Sequence, residues 1–68
     1  MNNILADLRN KQKLTQVELA NILNTNQKNV SAWERGERTP KPAMMQKIQD
    51  YFEVPKEQIF FGAFSYSK

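Results

Sequence analysis

The 68-residue sequence predicts an all-α fold, and three observations carry that expectation. Only two glycines, Gly36 and Gly62, interrupt the chain, and its three prolines all lie at or after position 40. Apolar residues recur at three- and four-residue steps, the period of a helix with one face against a core, and no β-branched run alternates as a strand would. Helix-start signals, chief among them Thr15-Gln16-Val17-Glu18, fall between the periodic segments.

The first helix is expected from about Asn3 to Lys11, where Ile4, Leu5 and Leu8 share a face, and Gln12, Lys13 and Leu14 make a short link. Thr15-x-x-Glu18 then has the form of a capping box. The threonine hydroxyl accepts from the Glu18 amide while the glutamate reaches back to the threonine amide. Behind it Leu19, Ile22 and Leu23 line one side of a second helix, and Ala20 allows close approach. That helix ends near Leu23, because Asn24 tolerates the left-handed backbone that closes helices. Asn26 is a good N-cap for a third helix, Gln27 to Arg35, which turns Val30 and Trp33 inward and stops at Gly36. A polar connector, Glu37 to Lys41, leads to Pro42, whose missing N–H costs nothing in a first helical turn. Met45, Ile48 and Phe52 mark a fourth helix to about Phe52. Val54-Pro55 breaks it, Pro55 to Ile59 makes one more short helical turn, and Phe60 to Lys68 is aromatic without a helical period. One domain is therefore expected over residues 1–60, followed by a tail over 61–68.

Composition narrows the chemistry. The chain has no cysteine and no histidine, and its seven carboxylates are scattered among ten basic side chains with no converging pair. No disulfide, metal site, cofactor or catalytic residue is expected from such a set. The apolar stretches are a few residues long, far short of the roughly 18 that span a bilayer, and Met1-Asn2-Asn3 is no secretion signal. A cytoplasmic protein without membrane association is the expectation. A net charge of +3 permits a nucleic-acid partner without demanding one.

The informative feature is the pairing of the second and third helices. Each is short, roughly 12–15 Å at the standard rise, and a link of about three residues forces them to cross sharply, as in a helix-turn-helix. Leu19, Ala20, Val30, Trp33, Ile48 and Phe52 belong to the core. The third helix then presents Gln27, Lys28, Asn29, Ser31 and Ala32 outward or at its flanks. Gln can grip adenine N6 and N7, Lys reaches guanine O6 or N7, and Ala packs on a thymine methyl. Donors suited to phosphate surround them: Gln16, Asn26, Arg35, Arg38 and Lys41.

Leu14-Thr15-Gln16-Val17-Glu18-Leu19-Ala20, followed by Val30, Trp33-Glu34-Arg35-Gly36 and Pro40, resembles the Cro/repressor-type helix-turn-helix family, the lambda-repressor-like domain. The apolar spacing from Met45 through Ile48, Phe52, Val54, Ile59 and Phe60 extends the likeness without a gap over about residues 4 to 60. The resemblance implies a compact five-helix domain, DNA binding and, usually, a two-fold dimer. Carried over by position, it puts base reading on Gln27, Lys28 and Ala32, with Ser31 beside them. Phosphate contact falls to Gln16, Asn26, Arg35, Arg38 and Lys41. Arg9 and Glu34 stand where family members commonly form an ion pair. The chain departs from the pattern at Asn24, where glycine is usual, and at Asn26, Pro42 and Gln49.

Four aromatics, Phe60, Phe61, Phe64 and Tyr66, crowd the C-terminal end of a domain too small to cover them all. They are expected to make a dimer contact, the alternative being that the tail folds back on its own core or stays disordered. The function these features point to is a sequence-specific transcriptional regulator, a Cro-like repressor that binds a near-palindromic double-stranded operator as a homodimer. The alternative is a protein-interaction module, such as an antitoxin or the partner of a second repressor, that uses the same fold as a scaffold.

Overall fold

A computed structural model describes residues 3–64, and no strand occurs among them. The helices are α1 (Leu5–Lys11), α2 (Gln16–Leu23), α3 (Gln27–Glu34), α4 (Pro42–Phe52) and α5 (Lys56–Ile59), followed by one 3-10 turn, Phe61–Phe64. Local signals set most of these boundaries. The Thr15 hydroxyl accepts from the Glu18 amide at 3.0 Å, and Glu18 accepts from the Thr15 amide at 2.8 Å, so the capping box is complete. Asn24 closes α2 in the left-handed region at φ 58°. Asn26 caps α3 by accepting from the Asn29 amide at 2.9 Å. Pro42 sits in the first turn of α4. Thr15→Ala removes one acceptor from a helix start that has no replacement nearby. It should cost about 1 kcal/mol in a urea unfolding titration.

The first helix starts two residues later than expected. Asn3 stays outside it, with its side-chain oxygen accepting from the Leu5 amide at 3.1 Å and its amide donating to the Trp33 carbonyl at 2.9 Å. The side chain is a brace between the chain start and α3 rather than part of a helix. A backbone bond from the Ile4 amide to the Ile59 carbonyl, 3.0 Å, fastens the same segment to α5.

Leu5, Leu19, Leu23, Val30, Ile48, Ile59 and Phe60 are completely enclosed, drawing on every helix of the domain. Ile4, Leu8, Leu14, Met44, Phe52 and Val54 cover this center as a partly buried shell. Two expectations change here. Ile22 is 42% exposed, so the inner stripe of α2 is Leu19, Ala20 and Leu23 only. A helix of eight residues that crosses α3 sharply has one narrow covered face, and Ile22 lies beyond its edge. Phe60 is fully buried, and so it does not belong to an exposed aromatic patch; its neighbor Phe61 is 44% exposed. Tyr66 and the side chain of Phe64 lie outside the described residues.

Polar side chains close the remaining joints. Lys47 Nζ donates to the Leu23 carbonyl at 2.8 Å, occupying an orphan acceptor at the end of α2. Gln49 accepts from the Lys56 amide at 2.9 Å and so tethers the start of α5 to α4. That contact accounts for a polar side chain where the family pattern has a small apolar one.

Candidate nucleic-acid interface

The turn between α2 and α3 is only Asn24, Thr25 and Asn26, and the left-handed Asn24 bends the chain so that the N-terminus of α3 stands beside that of α2. Gln16, in the first turn of α2, and Gln27, in the first turn of α3, meet there. Gln27 Nε2 donates to Gln16 Oε1 at 3.2 Å, and Gln16 Nε2 donates to Glu34 Oε1 at 3.0 Å. Glu34 is itself held by Arg9, whose Nε donates to Oε2 at 2.6 Å and whose Nη2 donates to Oε1 at 3.1 Å. Arg9 Nη1 adds a bond to the Leu14 carbonyl at 2.7 Å. A chain of charge-assisted and amide bonds thus runs from α1 through a partly buried joint to the first residue of α3.

The ends of this chain differ in exposure. The Glu34 and Arg9 side chains are 7% and 14% exposed, which makes their pairing a short, mostly desolvated fork. Gln27 is exposed. Its amide has given one N–H to Gln16 and keeps one N–H and the carbonyl oxygen uncommitted within the protein. That remaining pair is a donor beside an acceptor, the arrangement complementary to adenine N7 and N6 in the major groove.

Lys28 is exposed next to Gln27, while Asn29 is partly buried and donates to Thr25 Oγ1 at 2.9 Å, bracing the turn. Ala32 is not an outward residue, contrary to expectation: it is 8% exposed. Beyond Gly36, itself at φ 73°, the chain doubles back and the Glu37 and Arg38 amides both donate to the Ala32 carbonyl, at 3.0 and 3.4 Å. The connector thereby roofs the alanine, which becomes the floor of a shallow hollow walled by Lys28, Arg35, Glu37 and Arg38. A second hollow on the other flank of α3 has Thr25, Asn29, Arg38 and Lys41 on its walls. Arg38 therefore borders both, and Arg38 and Lys41 are exposed.

A family described as helix-turn-helix matches residues 5–59, most of the chain and all five helices. The chain belongs to the Cro/repressor-type helix-turn-helix family. Members of this helix-turn-helix family are DNA-binding regulators, and the crossing of α2 and α3 is the part of the fold that gives the family its name. No curated protein matches the chain. Among the described residues, no helix is long and apolar enough to cross a membrane. No group of three or more Asp or Glu side chains among them could hold a metal ion.

Two features of the helix-turn-helix surface were not legible in the sequence. Gln16, expected at phosphate, gives one N–H to Glu34 and its carbonyl oxygen to Gln27, which leaves one N–H for that role. Glu37, unremarked in the sequence, holds Arg35 by two bonds of 2.9 Å each. An acid two residues beyond an arginine across a helix end matches no helical side-chain spacing, so no periodic rule points to it.

Proposed function

We propose that this protein is a sequence-specific transcriptional repressor that inserts α3 into the major groove of an operator. The observation that carries the reading is the exposed Gln27 side chain, tied by Gln16 to the Arg9–Glu34 pair with a donor and an acceptor left uncommitted. A glutamine serving only solubility has no need of such anchoring. Ordering a long amide before binding reduces the entropy lost when it meets a base. Lys28 and Ser31 adjoin it as further base-facing positions. The remaining N–H of Gln16, the Asn26 amide, Arg38 and Lys41 surround the helix as phosphate donors, and the amides at the start of α3 add a favorable field for an anion.

The DNA-binding unit spans residues 1–60, and residues 61–68 serve self-association in a cytoplasmic homodimer. Phe61 at 44% and Tyr51 at 37% exposure support an apolar contact near the end of α4 and the 3-10 turn. Two copies would place their recognition helices about 34 Å apart on a near-palindromic site and repress by blocking access to a promoter.

Gln27→Ala tests the reading directly. Binding to the preferred duplex should weaken by about 1–3 kcal/mol, with preference lost at one base position and the other positions unaffected. Fluorescence anisotropy on a panel of singly substituted duplexes measures this. Equal weakening on every duplex would remove Gln27 from the base-reading set. Unchanged DNA binding, with loss of a protein partner when the exposed aromatics are replaced, would favor a protein-interaction scaffold.

A further inference from the structure

Arg35 is placed by its sequence position among the phosphate donors, but its surroundings are those of a different role. Its Nε and Nη2 donate to the two carboxylate oxygens of Glu37, and its Nη1 donates to Ser31 Oγ, one turn earlier on α3. The guanidinium therefore lies back along the helix instead of reaching out from its end. Residues 28, 31 and 35 share one stripe of a helix, so the guanidinium sits over the same face as Lys28 and Ser31. Both residues of the Arg35–Glu37 pair are more than half exposed, 54% and 60%, and a surface pair of this kind contributes little to stability. Fold stability does not explain the clamp.

We infer that Arg35 is a guanine-reading side chain and that Glu37 is the positioning residue that aims it. This rests on the groove-binding reading of α3 given above. The donor count supports it. A guanidinium has five N–H groups; Glu37 takes two and Ser31 one, which leaves one on each terminal nitrogen. Two donors on one planar group match guanine O6 and N7, both neutral acceptors. Phosphate contact relies on net positive charge and counterion release, and a carboxylate held against the arginine cancels that charge. Base reading relies on direction, which the carboxylate supplies. Arg35 holds the Glu37 carboxyl below the usual carboxylate range, through the hydrogen bonds first and the charge second, so the clamp is ionized at neutral pH.

The test uses duplexes selected by the wild-type chain from a randomized pool, with each base pair then substituted singly and affinities measured at several salt concentrations. Arg35→Lys keeps the charge and loses the fork. It should erase a preference of about 5- to 150-fold at one G·C pair while leaving the other positions and the salt slope intact. Glu37→Gln should weaken discrimination at that same pair, and Gln27→Ala should leave it untouched. Circular dichroism confirms that each exposed-site variant is folded. If Arg35→Lys matches wild type at every pair while Arg35→Ala lowers the salt slope by about one, Arg35 is a phosphate contact and the inference fails. A uniform tightening on all duplexes by Glu37→Gln would make Glu37 a repulsive neighbor and overturn its positioning role. A wild-type chain indifferent to sequence would instead refute the parent reading, and this inference with it.

Discussion

Arg9→Ala is expected to lower unfolding free energy by about 3 kcal/mol or more, a large share of the roughly 3–10 kcal/mol available to a domain of this length. The cost comes from the partner left behind. Glu34 keeps a side chain only 7% exposed, loses the guanidinium that meets both its oxygens, and retains a single neutral donor from Gln16. The Leu14 carbonyl loses its Arg9 bond as well. A urea titration should show the midpoint falling with the slope unchanged, because the folded and unfolded surfaces stay nearly the same. Replacing both partners together, as Arg9→Met with Glu34→Leu, should cost less than Arg9→Ala alone, since no charge is then buried without a partner. That double variant also separates folding from reading. It stays folded, yet Gln16 loses its anchor on Glu34 and Gln27 loses the order that Gln16 imposes, so discrimination at the Gln27 base position should fall. A single Arg9→Ala variant within about 1 kcal/mol of wild type would show that the pair is solvated and contributes little.

The parts of the fold that could be read from the sequence are those whose cause is local. Thr15 and Glu18 cap one another across three residues, Asn24 and Gly36 adopt the left-handed turn that a short amide side chain or a missing Cβ permits, and Pro42 opens a helix that needs no amide there. The parts that could not be read depend on what the chain does elsewhere. Ala32 is buried only because residues 37 and 38 fold back to its carbonyl. Ile22 falls on the apolar period of α2 and remains exposed, because α3 and α4 cover a stripe that stops short of it. Lys13 and Glu53 both take φ 58° without being glycine or asparagine. Neither residue type advertises that geometry; each closes a helix end there, with the Lys13 amide donating to the Asn10 carbonyl and the Glu53 amide to the Gln49 carbonyl. The proposed contact residues divide in the same way. The exposure of Gln27 and Lys28 follows from their place in the first turn of α3. The engagement of Gln16 by Glu34, and of Arg35 by Glu37, required the crossing angle and the return of the connector.

The two adjacent phenylalanines of the C-terminal segment should behave as opposites. Phe60→Ala removes a completely enclosed ring from the largest fully buried group in the core and should destabilize the monomer by about 3–5 kcal/mol. That loss approaches the whole stability of the domain, so the variant should be substantially unfolded near 37 °C, as circular dichroism would show. Phe61→Ala removes a ring already 44% exposed and should cost the monomer clearly less, about 1–2 kcal/mol. The backbone explains the division. Phe60 caps α5 through a bond from its amide to the Lys56 carbonyl, 2.9 Å, and at φ −111°, ψ 48° it leaves the helix with its side chain in the core beside the other buried residues. The 3-10 turn that begins at Phe61 then carries the next ring outward. If Phe61 belongs to the dimer contact, Phe61→Ala should weaken self-association in sedimentation equilibrium under conditions where the monomer remains folded by circular dichroism. Unchanged association in that variant would exclude Phe61 from the contact, and a stable Phe60→Ala monomer would show that the core closes without the α5 end.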